Sequence, residues 1–250
     1  MEIVSTSMQG RIATVRFDRG AKANALDSAL IDALEAQARS LARDPDVDVV
    51  ILTGAEAVFA AGVDLQDEGL WQTGGPDVTR HIAMSAGGRM SEAWRRLPQI
   101  TIAAIEGPAI GGGAILALCA DFRVMAENSY LRFPEVQLGM TLGWGGLPLL
   151  AERVGSVQAK RILFDDLRID ARTALSVGLC ERVTGPGESV ARAAEWADSL
   201  SRLPPLGVRM TKAALDAQTR RNWAEGVEAD QFMLARLNCE SKGKNQVQGS

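Results

Sequence analysis

The stretch that most constrains this chain is Thr101 to Gly139, TIAAIEGPAIGGGAILALCADFRVMAENSYLRFPEVQLG, where a strand, a glycine triplet, a helix and a proline-carboxylate pair follow closely. Thr101 to Ile105 is a short run of β-branched and apolar residues, the pattern of a buried strand, and Gly107-Pro108 closes it with a turn. Gly111, Gly112 and Gly113 precede Ala114 to Leu118, a compact apolar run that predicts a buried helix. The first amides of a helix have no partner within it, and glycines leave them uncovered. Such bare N–H groups suit an oxygen that gains negative charge during a reaction. Glycines at a strand-to-helix corner also serve simply to let two segments pack closely, so the triplet alone leaves both readings open.

A second element lies twenty residues on. Phe133-Pro134-Glu135 sets a carboxylate directly after a proline that cannot extend a strand ladder, with apolar Val136, Leu138 and Met140 beyond it. A lone loop glutamate is usually solvated, but apolar surroundings raise a carboxylate's pKa and fit it for proton transfer. Together, Ile105 to Gly113, Ala120 to Met125 and Phe133 to Gly146 resemble the signature region of the enoyl-CoA hydratase/isomerase family, the crotonase superfamily. The resemblance extends to about Asn238. It implies an α/β fold, a crotonase-like spiral of ββα units over residues 1–184, with a C-terminal helical region over residues 185–250 used for trimerisation. It also implies an acyl-CoA thioester substrate, no cofactor beyond the coenzyme A within that substrate, and a homotrimer or hexamer.

Composition excludes several other classes. At 250 residues and 46% hydrophobic, the chain has enough apolar material for one sizeable core. A net charge of -4 offers no general attraction to nucleic acid or to an anionic membrane. Cys119, Cys180 and Cys239 are odd in number, far apart and without CxxC spacing, which argues against a disulfide framework or structural zinc and fits a reducing cytoplasm. The opening MEIVSTSMQG lacks the basic and apolar regions of a signal peptide, and no long apolar span follows. His81, the sole histidine, sits among polar residues and is read as a surface group, so histidine-based triads are disfavoured. GxSxG, GxxxxGK[ST] and GxGxxG signatures are all missing.

In chain order, Ile3 to Ser7 and Ile12 to Phe17 predict a hairpin, and Leu30, Ile31, Leu34 and Leu41 predict a helix capped by Asp27 or Ser28. Val47 to Thr53 predicts a buried strand. Asp67 to Gly88 is polar, carries Gly74-Gly75-Pro76, and is expected to be a mobile segment before a helix at Met90 to Leu97. Further helices are expected at Leu147 to Val154, Ser156 to Phe164 and Asp170 to Ser176, with a short strand at Glu181 to Thr184. After the linker Gly185-Pro186-Gly187, helices are expected at Ser189 to Leu203, Leu206 to Thr219 and Trp223 to Asn238.

The family resemblance assigns roles by position. Lys22-Ala23-Asn24-Ala25-Leu26 matches the loop that wraps the adenine end of coenzyme A, with Ala23 and Ala25 acting through backbone and Lys22 assisting a phosphate. Glu56 to Leu65, EAVFAAGVDL, resembles FxAGxDL, so Ala61, Asp64 and Leu65 fall on the substrate loop and the Ala61 backbone faces the adenine. The Val63 and Gly112 amides become the two oxyanion donors, and Glu135 the catalytic acid/base. Trp71 and Trp144 either border the acyl pocket or cap the core, and Leu142 and Trp144 make its distal wall bulky and dry.

Hydratases of the family use two glutamates. Glu135 matches one, but the other position, two residues after Gly113, is Ile115, which cannot orient or ionise water. One glutamate is the arrangement of the family's Δ3,Δ2-enoyl-CoA isomerases, so double-bond isomerisation is the expected reaction. The alternatives are an alkylmalonyl-CoA-type decarboxylase, suggested by DFRVM and GWGG, another crotonase-type lyase, hydrolase or hydratase, or a non-catalytic acyl-CoA binder.

Overall fold

The computed structural model describes residues 2–71 and 76–219. It opens on the expected hairpin, β1 (Val4–Gln9) and β2 (Ile12–Phe17), which turns at Gly10 with φ +58. Helix α1 (Ser28–Leu41) follows; its N-cap Asp27 accepts from the Leu30 amide at 2.8 Å. Then come β3 (Val49–Thr53), α2 (Asp77–Arg95), β4 (Ile100–Ile105), β5 (Pro108–Ile110), α3 (Gly112–Leu118), β6 (Phe122–Ala126) and β7 (Tyr130–Arg132). The remainder is α4 (Gly146–Phe164), β8 (Ile169–Asp170), α5 (Ala171–Val177), β9 (Arg182–Thr184), α6 (Ser189–Ser201) and α7 (Pro205–Thr219).

Six strands form the main sheet in the order β1-β2-β3-β4-β6-β9, antiparallel at β1-β2 and parallel from there on. Parallel strands covered on both faces need apolar side chains at every position, which is why Val49 to Thr53 reads as a continuous apolar run. The pleat divides that run between two cores. Val49, Ile51, Ile102, Ala104 and Val124 turn to one face, where α6 covers them with Ala193 and Ala197. Val50, Leu52, Ala103, Ile105 and Met125 turn to the other, facing α1, α2 and α3. A second sheet, β5-β7-β8, lies beside α3 and carries the loops that build the site.

Several expectations are corrected. The segment expected to be mobile as far as Gly88 is helical from Asp77, within one helix of 19 residues. Its polar residues misled the reading because only one stripe is apolar: Ala86, Met90 and Trp94 recur at i, i+4 and i+8 and are buried, while His81 and Ile82 face outward. The two helices expected on either side of Gly155 are present, and they meet within α4 at a break where Gly155 takes φ +77 and leaves the helical conformation. Strands β5, β7 and β8, of two or three residues, are too short to show a period. The Gly185-Pro186-Gly187 linker is an anchored turn, since the Glu106 carboxylate accepts from the Gly187 amide at 3.0 Å and the Ser189 amide at 2.8 Å. The expected helix at Trp223 to Asn238, Cys239 and Gly74-Gly75 lie outside the described residues.

The division of the strands between two cores is testable. Ile51→Ala should lower unfolding stability by about 2–5 kcal/mol in urea titration, whereas Met8→Ala, on the 53% exposed edge of β1, should change it by less than about 0.5 kcal/mol.

Candidate active site

Three chain segments converge at the site: the loop after β3, which the turn at Lys22–Asn24 braces, the corner between β5 and α3, and the turn after β7. The turn is unusual, because Lys22, Ala23 and Asn24 all have positive φ, at 51°, 49° and 55°. Buried Asn24 holds it there by donating to Phe17 O at 3.1 Å and Phe59 O at 2.8 Å, while its own oxygen accepts from the Arg19 amide. The loop after β3 is then laced on both sides. Phe59 N donates to Pro108 O, Ile110 N to Ala60 O, Ala61 N to Ala23 O, Leu26 N to Gly62 O and Asp64 N to Leu26 O, all at 2.7–3.1 Å.

That lacing leaves one amide over. Leu26 engages Gly62 O and Asp64 N, so the Val63 N–H between them is turned to the opposite side, where among the described residues it has no hydrogen-bond partner. Gly112, as the first residue of α3, likewise has no intrahelical acceptor for its N–H. The two residues are neighbours: a Cβ built on Gly112 would stand 3.2 Å from Val63 Cγ2.

Each glycine of the triplet has its own reason. Gly111 takes φ +51, and a Cβ there would come within 3.0 Å of Glu135 Oε1. A Cβ on Gly112 would strike the Trp144 ring at 2.5 Å, and one on Gly113 would strike the Ala60 Cβ at 2.6 Å. Close packing and exposed amides are therefore both present at this corner.

Glu135 starts the turn that ends at Gly139, and its carbonyl accepts from Met140 N at 2.8 Å. Its Oε2 is buried without a hydrogen-bond partner among the described residues. Burial pushes the carboxyl up to about 7, with the Asp166 charge adding in the same direction and a main-chain hydrogen bond opposing. A cavity of about 160 Å³ opens in front of it, and Ala61, Val63, Leu65, Trp71, Gly112, Ile115, Glu135 and Trp144 all border this space. Ile115 is only 2% exposed and packs close to Leu142 and Gly146. Among the described residues Glu135 is the single carboxylate on the cavity wall.

Four residues expected at the site do not border this cavity: Lys22, Ala23, Ala25 and Asp64. The Asp64 carboxylate is committed elsewhere. It accepts from Lys22 Nζ at 2.9 Å, Arg19 Nη1 at 2.9 Å and the Gln66 amide at 3.0 Å, which hold its pKa well below the usual range. Its side chain therefore ties the loop to the turn at Lys22. Sequence reasoning does not name the bordering residues Ala83, Met84 and Gly87, because it takes the stretch from Asp67 to Gly88 as a mobile segment without a helical face.

Residues 7–249 match the family model described as enoyl-CoA hydratase/isomerase. The chain belongs to the enoyl-CoA hydratase/isomerase family. A relative from Arabidopsis thaliana named "Probable enoyl-CoA hydratase 2, mitochondrial" is 32% identical over 227 residues, covering 90% of this chain and 74% of that protein. A crystal structure of an enoyl-CoA hydratase from Bacillus anthracis superposes with a TM-score of 0.80 at 30% identity, covering 96% of this chain and 90% of the other. A structure described as a monofunctional enoyl CoA isomerase from M. smegmatis gives 0.75 at 28% identity, covering 90% and 98%. The family acts on acyl-CoA thioesters, and hydratase names predominate among the relatives. Among the described residues no helix is long and apolar enough to cross a membrane.

The buried Glu135 makes a stability prediction. Its folded pKa lies above the ordinary glutamate value of 4.5, so between about 4.5 and about 7 the folded protein holds a proton that the unfolded chain has released. The associated stability is complete below the lower value and is lost as pH rises through the upper one. Glu135→Gln should thus gain stability relative to the parent between pH 4 and pH 8, by about 3 kcal/mol, when urea titrations at the two pH values are compared.

Proposed function

We propose that this protein is an enoyl-CoA isomerase, moving a double bond between carbons of an acyl-CoA thioester with Glu135 as the only acid/base. The observation that carries this reading is the pairing of a buried carboxylate with an apolar Ile115 on the same cavity wall. An enolate forms readily only if its oxygen is stabilised, and the unpaired amides of Val63 and Gly112 are suited to that oxygen. Ionised Glu135 removes the α or γ proton, the negative charge spreads from the thioester oxygen along the dienolate, and the same carboxyl returns the proton to the other carbon. A hydratase must in addition hold and activate a water molecule. Ile115 gives that water no hydrogen bond, which disfavours addition across the double bond.

In this reading the chemistry needs no cofactor apart from the coenzyme A of the substrate. Ala61 and Leu65 border the entrance, and the main chain of Ala23 and Ala25 with Lys22 flanks the adenine end. The helical C-terminal region serves assembly into a trimer or hexamer, supported by Leu206 and Met210, one turn apart on α7 and 70% and 64% exposed.

Decarboxylation of an alkylmalonyl-type thioester is the second reading, favoured by one observation. A carboxyl with a pKa near 7 can stand protonated beside a substrate carboxylate and then protonate the carbanion left by departing carbon dioxide. The two readings demand opposite protonation states. Isomerisation should show kcat/KM rising with pH to a plateau above about 7, and decarboxylation should show it falling over the same range. Incubation in heavy water with 3-enoyl, 2-enoyl and alkylmalonyl thioesters, followed by mass spectrometry, separates them by product. Glu135→Gln should lower isomerisation by at least about 10²-fold with thioester affinity nearly unchanged. Undiminished turnover in that variant would sink the mechanism.

A further inference from the structure

Trp144 occupies a place that the proposed chemistry does not use. Its backbone has φ +55, a conformation that a bulky side chain rarely adopts, and Gly145 follows at φ +73. The bend drives the indole inward between two glycines on different helices. A Cβ on Gly87 of α2 would lie 1.8 Å from Trp144 Cε2, and one on Gly112 of α3 would lie 2.5 Å from Cζ3. Neither position tolerates even a methyl group, so the slot is open to the ring only because both residues are glycine. The ring edge therefore lies against the residue whose amide is the proposed oxyanion donor, on the wall that an acyl chain meets beyond its thioester carbonyl.

We propose that Trp144, seated in the Gly87–Gly112 slot, sets acyl length and restricts the site to short-chain acyl-CoA thioesters. This rests on the acyl-CoA reading of the cavity given above. The cavity of about 160 Å³ is close in size to an apolar cavity, roughly 150 Å³, that holds benzene, and part of it near Ala61 and Leu65 belongs to the thioester, so it has room for an acyl group of no more than about six carbons. Leu70, Met84 and Ile115 leave the chain no polar wall to follow, and the indole blocks the way between α2 and α3. Removing the ring joins its volume to the cavity and opens that path.

The test is the affinity of saturated acyl-CoA thioesters of four, six, eight, ten and twelve carbons, measured by calorimetry so that no turnover is required. The parent protein should bind the four- and six-carbon thioesters best, with a loss of about tenfold or more by ten carbons. Trp144→Ala should bind the ten-carbon thioester at least about tenfold more tightly than the parent does, and Trp144→Phe should fall between the two. Should Trp144→Ala fail to fold, the Phe variant still carries the test, because its smaller ring shifts the optimum by one or two methylenes. An unchanged length profile in the folded variants overturns the assignment to Trp144 while leaving the acyl-CoA reading intact. Absence of binding at every length in the parent overturns both.

Discussion

The site depends on how closely three pieces of main chain approach one another around residues 111–113. Each approach requires that a side chain be missing: at Gly111 beside the Glu135 carboxylate, at Gly112 beside the Trp144 ring, and at Gly113 against Ala60. The cost of so much bare backbone is conformational entropy, and the surrounding hydrogen bonds offset it. Gly111 N donates to Arg132 O, and Ile115 N to Gly111 O, both at 2.9 Å. Arg132 is in turn ion-paired with Asp166. The corner is thus fixed from β7 and from α3 together, and the loop carrying Val63 is fixed to it through Ala60 and Ile110.

Two carboxylates on adjoining loops are pushed in opposite directions, and the difference comes from what surrounds them. Asp64 meets two cations and an amide, so its charge is stabilised and it acts as a tie. Glu135 is enclosed by apolar side chains, and among the described residues it has no ion pair and one of its oxygens has no hydrogen-bond partner. Removal from water then dominates, and the carboxyl changes protonation state near neutrality. A group that must both take and return a proton at neutral pH gains from that position, since neither step is far uphill.

Much of this arrangement was legible in the sequence because the physics is local. The apolar runs at Val47 to Thr53 and Thr101 to Ile105 specify covered strands, and the glycine triplet before an apolar helix specifies a tight strand-to-helix corner, which the carboxylate at Glu135 then marks as a site. What was not legible depends on contacts far apart in the chain. Asn24 holds three residues at positive φ through carbonyls of Phe17 and Phe59, which no spacing rule connects. The part of α2 before Met90 reads as a mobile segment because its polar and glycine residues lower helix propensity, yet it continues the helix whose Ala86, Met90 and Trp94 stripe is buried. Gly87 then has a meaning that propensity cannot supply, because the residue it accommodates is Trp144, fifty-seven positions away.

Ile115, Trp144 and Glu135 are better understood as one choice than as three. An apolar residue at position 115 removes the hydrogen bonds that would keep a water molecule in the cavity, and the indole of Trp144 fills space that solvent would otherwise occupy. A drier cavity raises the free energy of the ionised Glu135 and so brings its pKa toward neutrality. In the proposed isomerisation, the same dryness would protect the enolate from proton exchange with bulk water, so that the proton removed is the proton returned. Substituting a second carboxylate at position 115 would therefore alter more than the count of catalytic groups. It would bring in water and a like charge with opposing effects on Glu135, and the protonation balance suited to shuttling a single proton would no longer hold.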